Sequence, residues 1–512
     1  MALRRLNLDF TPDQFHHLDD TLRKHRIVTE GLSWRLVRVT QDARHHQVRF
    51  LVTLDVGEEQ LLPPEIPDPR MPVRKPKGRP VVIVGAGPAG LMAALALVEQ
   101  GVTPRIVEQG AQFPDRHALS RSLRVFGRLE CGPAMTCGLG GAGTYSDGKL
   151  FTRKASIHVR RALNLFAWFA RDPAILVDAH PHVGSNRLPR MIDAIRCYLE
   201  ENGARFFFNT RATGLLVKEG RVAGITIESG EKIEGEAVVL APGNSARSLF
   251  EALARQRVRM EQKPFAVGLR IEHPRELIDR IQYGRSAGHP ACGAARYAFA
   301  FSNLPRAVYS FCMCPGGYVI PTPPEPERLA VNGMSHSTRS SPFSNAAVVA
   351  AVSADDWPES AESVLGGIEF QRRLERAAYE AGGGGYKAPA QRLTDFVAGR
   401  TSSPLPQASY HPGLTEADLA ALLPSPVVAA LRAGIERADR RLRGYLTDQA
   451  VAIGVETLTS TPLRIARDAA GFSPSHPGLF PCGEGGGWAG GITSSAADGL
   501  ACAQHVALWL GL

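Results

Sequence analysis

Long apolar runs are missing from this 512-residue chain. The longest, such as LMAALALV from Leu91, fall well short of the ~20 residues a membrane-spanning helix needs, so none is expected and no membrane partner with it. The N-terminal MALRRLNLDF holds two arginines but neither an apolar core nor a small-residue cleavage site, so no secretory signal is expected. Together these absences predict a cytoplasmic protein. The eight cysteines, at 131, 137, 197, 292, 312, 314, 482 and 502, show neither the framework of small secreted domains nor a C-x-x-C pair. No metal site is expected from them. Cys312 and Cys314 in FCMCPGG read as packing thiols, with a redox or metal-ligating pair as the alternative. Cys131 and Cys137 read as small buried hydrophobes beside a glycine loop. Aromatics are absent from the densest basic cluster, RKPKGR from Arg74, which has no rings for bases to stack on. The net charge of +9 attracts anions in general but specifies none, and nucleic-acid binding is the disfavoured reading.

What is present divides the chain. Its length calls for two or three domains. Residues 1–62 read as a small N-terminal α+β domain: a strand in LRRLNLDF, a helix from Thr11 with Pro12 in its first turn, and two strands in WRLVRVTQDARHHQVRFLVTLDV. Residues 63–79 are a linker, because LLPPEIPDPRMPVRKPKGRP holds seven prolines in twenty positions and cannot form a regular element. A nucleotide-binding α/β domain is expected over 80–260, a substrate or cap domain over 261–454, and a return to the nucleotide fold over 455–512.

The nucleotide assignment rests on PVVIVGAGPAGLMAALALVEQGVTPRIVEQG. VVIV suits a parallel strand buried on both faces. Gly85, Gly87 and Gly90 give the G-x-G-x-x-G spacing, a helix follows to Gly101, and a second strand ends in Glu108, eighteen residues beyond Gly90. Gly85 permits the tight turn, Gly87 lets backbone approach a pyrophosphate, and Gly90 lets helix pack on strand. The helix N-terminus, at Pro88 and Ala89, favours an anion.

Three later segments choose the dinucleotide. CGLGGAGTYSDGKL is a second glycine-rich stretch, placing Gly141, Gly143, Thr144, Asp147, Gly148 and Lys149 as cofactor contacts along with Glu108 and Gln109. EAVVLAPGNSAR is a strand ending at Gly243. PCGEGGGWAGGITSSAADGL, residues 481–500, then holds seven glycines and runs into a helix. Glu484 is expected to accept ribityl hydroxyls, and the helix N-terminus, from Gly490, Gly491 and Ile492, to face the flavin N1, where the helix dipole stabilises negative charge. The glycines of 483–491 are expected to keep side chains off a flat cofactor, which makes that cofactor FAD.

With VGAGPAGLMAAL, GLGGAGTYSDGKL, KPFAVGLRIEHP, VYSFCMCPGGYVI, NGMSHSTR, ETLTSTPLRI and CGEGGGWAGGITSSAADG, the chain resembles the bacterial FAD-dependent dehydrogenases of glutathione-reductase-like fold, most of them uncharacterised. The resemblance implies non-covalent FAD, an FAD-binding Rossmann-like domain of glutathione reductase type, an inserted α+β cap and a small N-terminal domain. It names no substrate. Leu458 stands where that pattern has arginine, Gly486 and Trp488 where alanine and tyrosine are common, and Asn244 where histidine is common.

Between about 260 and 455 there is no second dinucleotide fingerprint, which argues against a disulfide reductase with its own nicotinamide domain. His336 and Lys149 are the candidate catalytic residues for proton transfer at the flavin, with Asp147 and Glu456 behind them. AGGGGY at 381–386 reads as a flexible loop over the site. The expected activity is hydride transfer between a small organic substrate and flavin N5. Two alternatives stand: a flavoprotein that binds or modifies RNA or another macromolecule through its N-terminal domain, and a flavin reductase fed by a transient NAD(P)H.

Overall fold

The computed structural model describes residues 3–44, 47–75, 80–130, 132, 135–360 and 362–512, so Cys131 lies outside the described residues. In the N-terminal unit, Arg4–Phe10, Arg49–Gly57 and Ser33–Asp42 form an antiparallel sheet with Arg49–Gly57 in the centre. Thr11 caps the following helix reciprocally with Gln14, and Pro12 sits in its first turn. The single helix expected from Thr11 is broken at His17 into Pro12–His16 and Leu18–Lys24. The restart brings Leu18 and Leu22 into the core shared with Phe10, Phe50 and Leu54.

The nucleotide fold is a five-stranded parallel sheet in the order Leu479–Pro481, Ala237–Leu240, Pro80–Val84, Thr103–Val107, Arg205–Phe207. Its central strand alternates between two cores: Val81 and Ile83 pack under the helices, Val82 and Val84 against the opposite layer. From Pro80–Val84 the chain builds outward to Arg205–Phe207, then returns to the other side of its first strand. The order therefore reverses between Pro80–Val84 and Ala237–Leu240, and a crevice opens beyond their carboxyl ends. The C-terminal helix Ile492–Trp509 closes this fold by packing on Pro88–Glu99. A Cβ on Gly499 would lie 2.2 Å from the Ala89 carbonyl oxygen, so this crossing requires glycine.

The cap is built on a seven-stranded sheet in the order Ala300–Phe301, Val308–Cys314, Phe343–Val352, Phe265–Pro274, Val451–Glu456, Ala388–Arg392, Leu414–Glu416. All its pairs are antiparallel except the last, so the described residues hold no second parallel nucleotide fold. Cap and nucleotide fold are joined by a buried ion cluster. Arg247, at the start of helix Arg247–Arg255, donates to both Glu375 oxygens at 2.7 Å and to Glu325 at 3.0 Å. Glu375 lies on helix Gly366–Ala381. Residues 382–386 are the turn that ends this helix: the Gly382 amide bonds Ala378, and a Cβ on Gly382 would meet the Lys387 carbonyl at 2.0 Å. The AGGGGY stretch is thus the turn that ends this helix, packed at Gly382, while Gly383 and Gly385 are exposed with nothing within 4 Å of an added Cβ.

Candidate functional site

The crevice at the strand reversal is lined by glycines of two kinds. Gly85 turns with φ 102°, and a Cβ there would lie 2.2 Å from the Ala241 carbonyl across the sheet. A Cβ on Gly90 would lie 2.0 Å from the Gly85 carbonyl. These two are required by the chain's own packing. Gly87, which precedes helix Pro88–Glu99, is different: its added Cβ would meet only the Gly141 Cα, at 3.9 Å. Gly243 and Gly490 meet nothing within 4 Å, and Gly491 only the Ser494 hydroxyl at 3.9 Å. The open faces belong to strand ends and helix starts.

The C-terminal glycines divide the same way, which corrects the expectation for 483–491. A Cβ would meet Ala89 at 2.7 Å from Gly483, the Gly243 carbonyl at 2.4 Å from Gly485, Cys482 at 2.9 Å from Gly486, and Arg464 and Leu463 at 2.7 Å from Gly487. Protein, not ligand, excludes side chains there. Gly141, Gly143 and Gly148 are also hemmed in by protein, through Gly87, Ile492 and Leu188 respectively.

Glu108 is buried at the end of its strand and acts as a staple in this structure. One oxygen accepts the Ala86 amide at 2.9 Å, the other the Gly110 and Gly138 amides at 2.9 and 2.8 Å. Gln109 donates to the Cys137 sulfur, whose thiol burial pushes up to about 12. Arg116, not singled out from the sequence, is fully buried and fastens the second glycine loop through the Leu139 carbonyl at 2.5 Å, Thr144 Oγ1 at 2.9 Å and the Gly141 carbonyl at 2.8 Å. Its position on helix Asp115–Phe126, among polar neighbours, gave no signal.

A buried charged cluster joins the second glycine loop to the cap. Asp147, 1% exposed, accepts from Arg339 at 2.7 and 3.1 Å and from the Ser335 hydroxyl, and lies 3.2 Å from Lys149 Nζ. Burial alone would raise this carboxyl, but Lys149 and Arg339 outweigh it and hold it well below the usual carboxylate range. Burial opposes the Lys149 charge, yet Asp147 and the two thiols raise its ammonium. Lys149 Nζ also reaches Cys314 Sγ at 3.9 Å. Beneath it, Arg270 donates to Glu456 at 3.0 Å, the Cys312 carbonyl at 3.1 Å, and the side-chain oxygens of Asn345 and Asn332 at 3.0 and 2.9 Å. Burial pushes the Glu456 carboxyl up to about 7 against the pull of Arg270.

Glu484 stands between this cluster and the parallel sheet. Burial raises its carboxyl to about 7, opposed by Lys263, the Gly491 amide and Asn244. Asn244 donates to both Glu484 at 3.4 Å and the Leu458 carbonyl at 3.3 Å. One departure from the resembled family, Asn244, thus meets the Glu484 carboxylate, and its amide also bonds the main chain of a second, Leu458. Trp488 turns to structural use: its indole donates to the Ile465 carbonyl at 3.0 Å, under the guanidiniums of Arg464 and Arg467. His336 is exposed, its ring centroid 5.8 Å from that of Tyr318, and among the described residues its side chain makes no hydrogen bond or ion pair. No hydrogen-bond partner among the described residues orients the His336 ring for the proton transfer expected of it. Many arginines of the N-terminal unit are paired: Arg5 with Asp55, Arg35 with Glu59 and Glu65, Arg49 with Asp9.

The arrangement fits a dinucleotide carrying a flat ring system: open backbone at Gly87 and Gly243 and two helix N-termini at the crevice. Residues 264–459 match the family described as FAD-dependent protein, C-terminal domain-like, and residues 79–124 match the FAD binding domain. An uncharacterized protein of Clostridium beijerinckii is 40% identical over 470 residues, 91% of this chain and 85% of that protein. The FixC protein of Escherichia coli K12 is 26% identical over 240 residues, 43% of this chain and 52% of its own. Among solved structures, a geranylgeranyl bacteriochlorophyll reductase-like protein of Thermoplasma acidophilum covers 85% of this chain and 79% of its own, at 12% identity and TM-score 0.37. That likeness is too loose to carry an argument.

Proposed function

Since the chain belongs to the family of FAD-dependent proteins represented by the Clostridium beijerinckii protein, and its cofactor is FAD, we propose that it is an oxidoreductase moving a hydride between a small organic substrate and flavin N5. The observation that carries the reading is the set of open glycine faces at the strand reversal, where a pyrophosphate needs bare backbone. Bound there, FAD supplies the two-electron chemistry. Gly87, Pro88, Ala89 and Gly90 hold the pyrophosphate at a helix N-terminus; Glu108 and Gln109 serve the adenosine end. Asp147, Lys149 and the second glycine loop hold the opposite side. Gly243, Glu484, Gly490, Gly491 and Ile492 serve the ribityl and ring end, where the start of helix Ile492–Trp509 favours negative charge. The glutathione reductase subtype of the fold remains part of this reading and rests on the motifs alone.

Lys149 and Glu456, with a carboxyl near neutrality, are the groups able to hold a proton on the substrate side. The cap supplies that side through Val308–Cys314 and Val331–Met334. A cap made of antiparallel sheet gives a nicotinamide no fold of its own, so NAD(P)H reaches the flavin only as a transient visitor. Gly87→Val tests the placement. The side chain has room in the bare protein but occupies the pyrophosphate's space, so the variant should keep its melting temperature and lose its flavin band. A folded variant that still binds FAD would sink the proposal.

A further inference from the structure

From the sequence the two thiols of FCMCPGG read as packing residues, yet the structure gives them company that packing does not require. Residues two apart in a regular strand share a face about 6.6 Å apart, at the upper edge of the Cα separations a disulfide tolerates. The strand Val308–Cys314 is not regular there. Phe311 pairs with Ala347 and Cys314 with Asn345, so one extra residue bulges between them, and Cys312 takes φ 45°. Cys314 Sγ donates back to the Cys312 carbonyl at 3.4 Å. Both thiols are free; Cys314 is buried and Cys312 only partly so, at the cap's side of the crevice.

Two cations serve this pair. Lys149 Nζ lies 3.9 Å from Cys314 Sγ, and the Arg270 guanidinium, itself fully buried, holds the Cys312 carbonyl. Around Arg270, Glu456 Oε1 and Asn345 Nδ2 are buried without a hydrogen-bond partner among the described residues, which is costly in a finished core and expected where a further group is received. The hydrogen bond from Cys314, with Lys149 and Arg270, draws the Cys312 thiol well down and leaves Cys314 raised. One attacking thiolate beside one protonated partner is the arrangement that dithiol exchange uses.

We infer that Cys312 and Cys314 are a dithiol–disulfide couple that exchanges an electron pair with the FAD of this site, an inference that rests on the oxidoreductase reading above. Oxidation of the Cys312 thiolate and the Cys314 thiol breaks one S–H bond and forms one Sγ–Sγ bond. The two electrons and one proton released convert oxidised FAD to its anionic reduced form, and the reverse step returns them. Lys149 Nζ, 3.9 Å from Cys314 Sγ, holds the positive charge that faces the pair.

The test is an anaerobic dithionite titration of the air-oxidised holoprotein, read from the flavin band, with iodoacetamide labelling and peptide mass mapping before and after. Wild type is expected to take up two electron pairs per FAD, Cys312→Ser and Cys314→Ser one. Labelled in an anaerobic denaturing quench, which opens the buried Cys314 to the reagent, Cys312 and Cys314 should resist labelling before the titration and accept it afterwards. Uptake of one pair by wild type, with both thiols labelled from the start, would overturn the couple. Failure of the FAD reading is distinguishable, because such a protein has no flavin band before dithionite is added.

Discussion

Replacing Glu484 by alanine should weaken FAD retention by about 1.5–3 kcal/mol, a roughly ten- to hundredfold rise in Kd, if its carboxylate accepts ribityl hydroxyls. Fluorescence titration of the apoprotein measures this, and an unchanged Kd would reassign Glu484 to a structural role. Glu272 gives a second prediction from one residue. It is buried and accepts both the amide and the hydroxyl of Ser409, at 2.6 and 2.5 Å, and burial pushes its carboxyl up to about 7. A folded value raised above the unfolded ~4.3 means that the protonated form stabilises the fold. That contribution is complete below ~4.3 and is lost as pH rises through about 7. The melting temperature should therefore fall between pH 5 and 7.5, and fall less in Glu272→Gln, which keeps an acceptor and a donor for Ser409. Parallel curves for the two proteins would contradict the assignment.

At the scale of elements, the two kinds of glycine predict opposite outcomes. Gly499→Val drives a side chain into the Ala89 carbonyl, so it should unfold or strongly destabilise the protein with or without FAD, unlike Gly87→Val. Thermal melts of the two variants, each with and without FAD, separate a packing glycine from a binding glycine. This distinction also marks how far the sequence was legible. The unit from Pro80 to Glu108 was readable because its signal is local: β-branched strand, glycine spacing and helix are set by neighbours in the chain. The glycines of 483–487 read from the sequence as cofactor contacts because their true neighbours, Ala89, Gly243 and Arg464, are remote in sequence. The meeting of Lys149 with Cys314 spans 165 residues and left no local trace. Arg270 did leave one: a charge inside the apolar run FAVGLRIE marks a buried ion site.

Across the whole molecule, the nucleotide fold and the cap are held in register by Arg247, whose removal leaves Glu375 buried and uncompensated. Arg247→Ala should cost about 3–5 kcal/mol in urea denaturation, and a smaller loss would mean that other contacts, such as Arg372 with Glu251, carry the docking. That docking encloses the site between the parallel nucleotide sheet and the largely antiparallel cap sheet. The central claim is that the flavin is reduced by an organic substrate bound on the cap side. Anaerobic stopped-flow mixing of the FAD-loaded protein with NADH and with NADPH, following the flavin band, tests it most directly. The account predicts slow bleaching that rises linearly with nicotinamide concentration and does not saturate; fast, saturable reduction by either nicotinamide would contradict it.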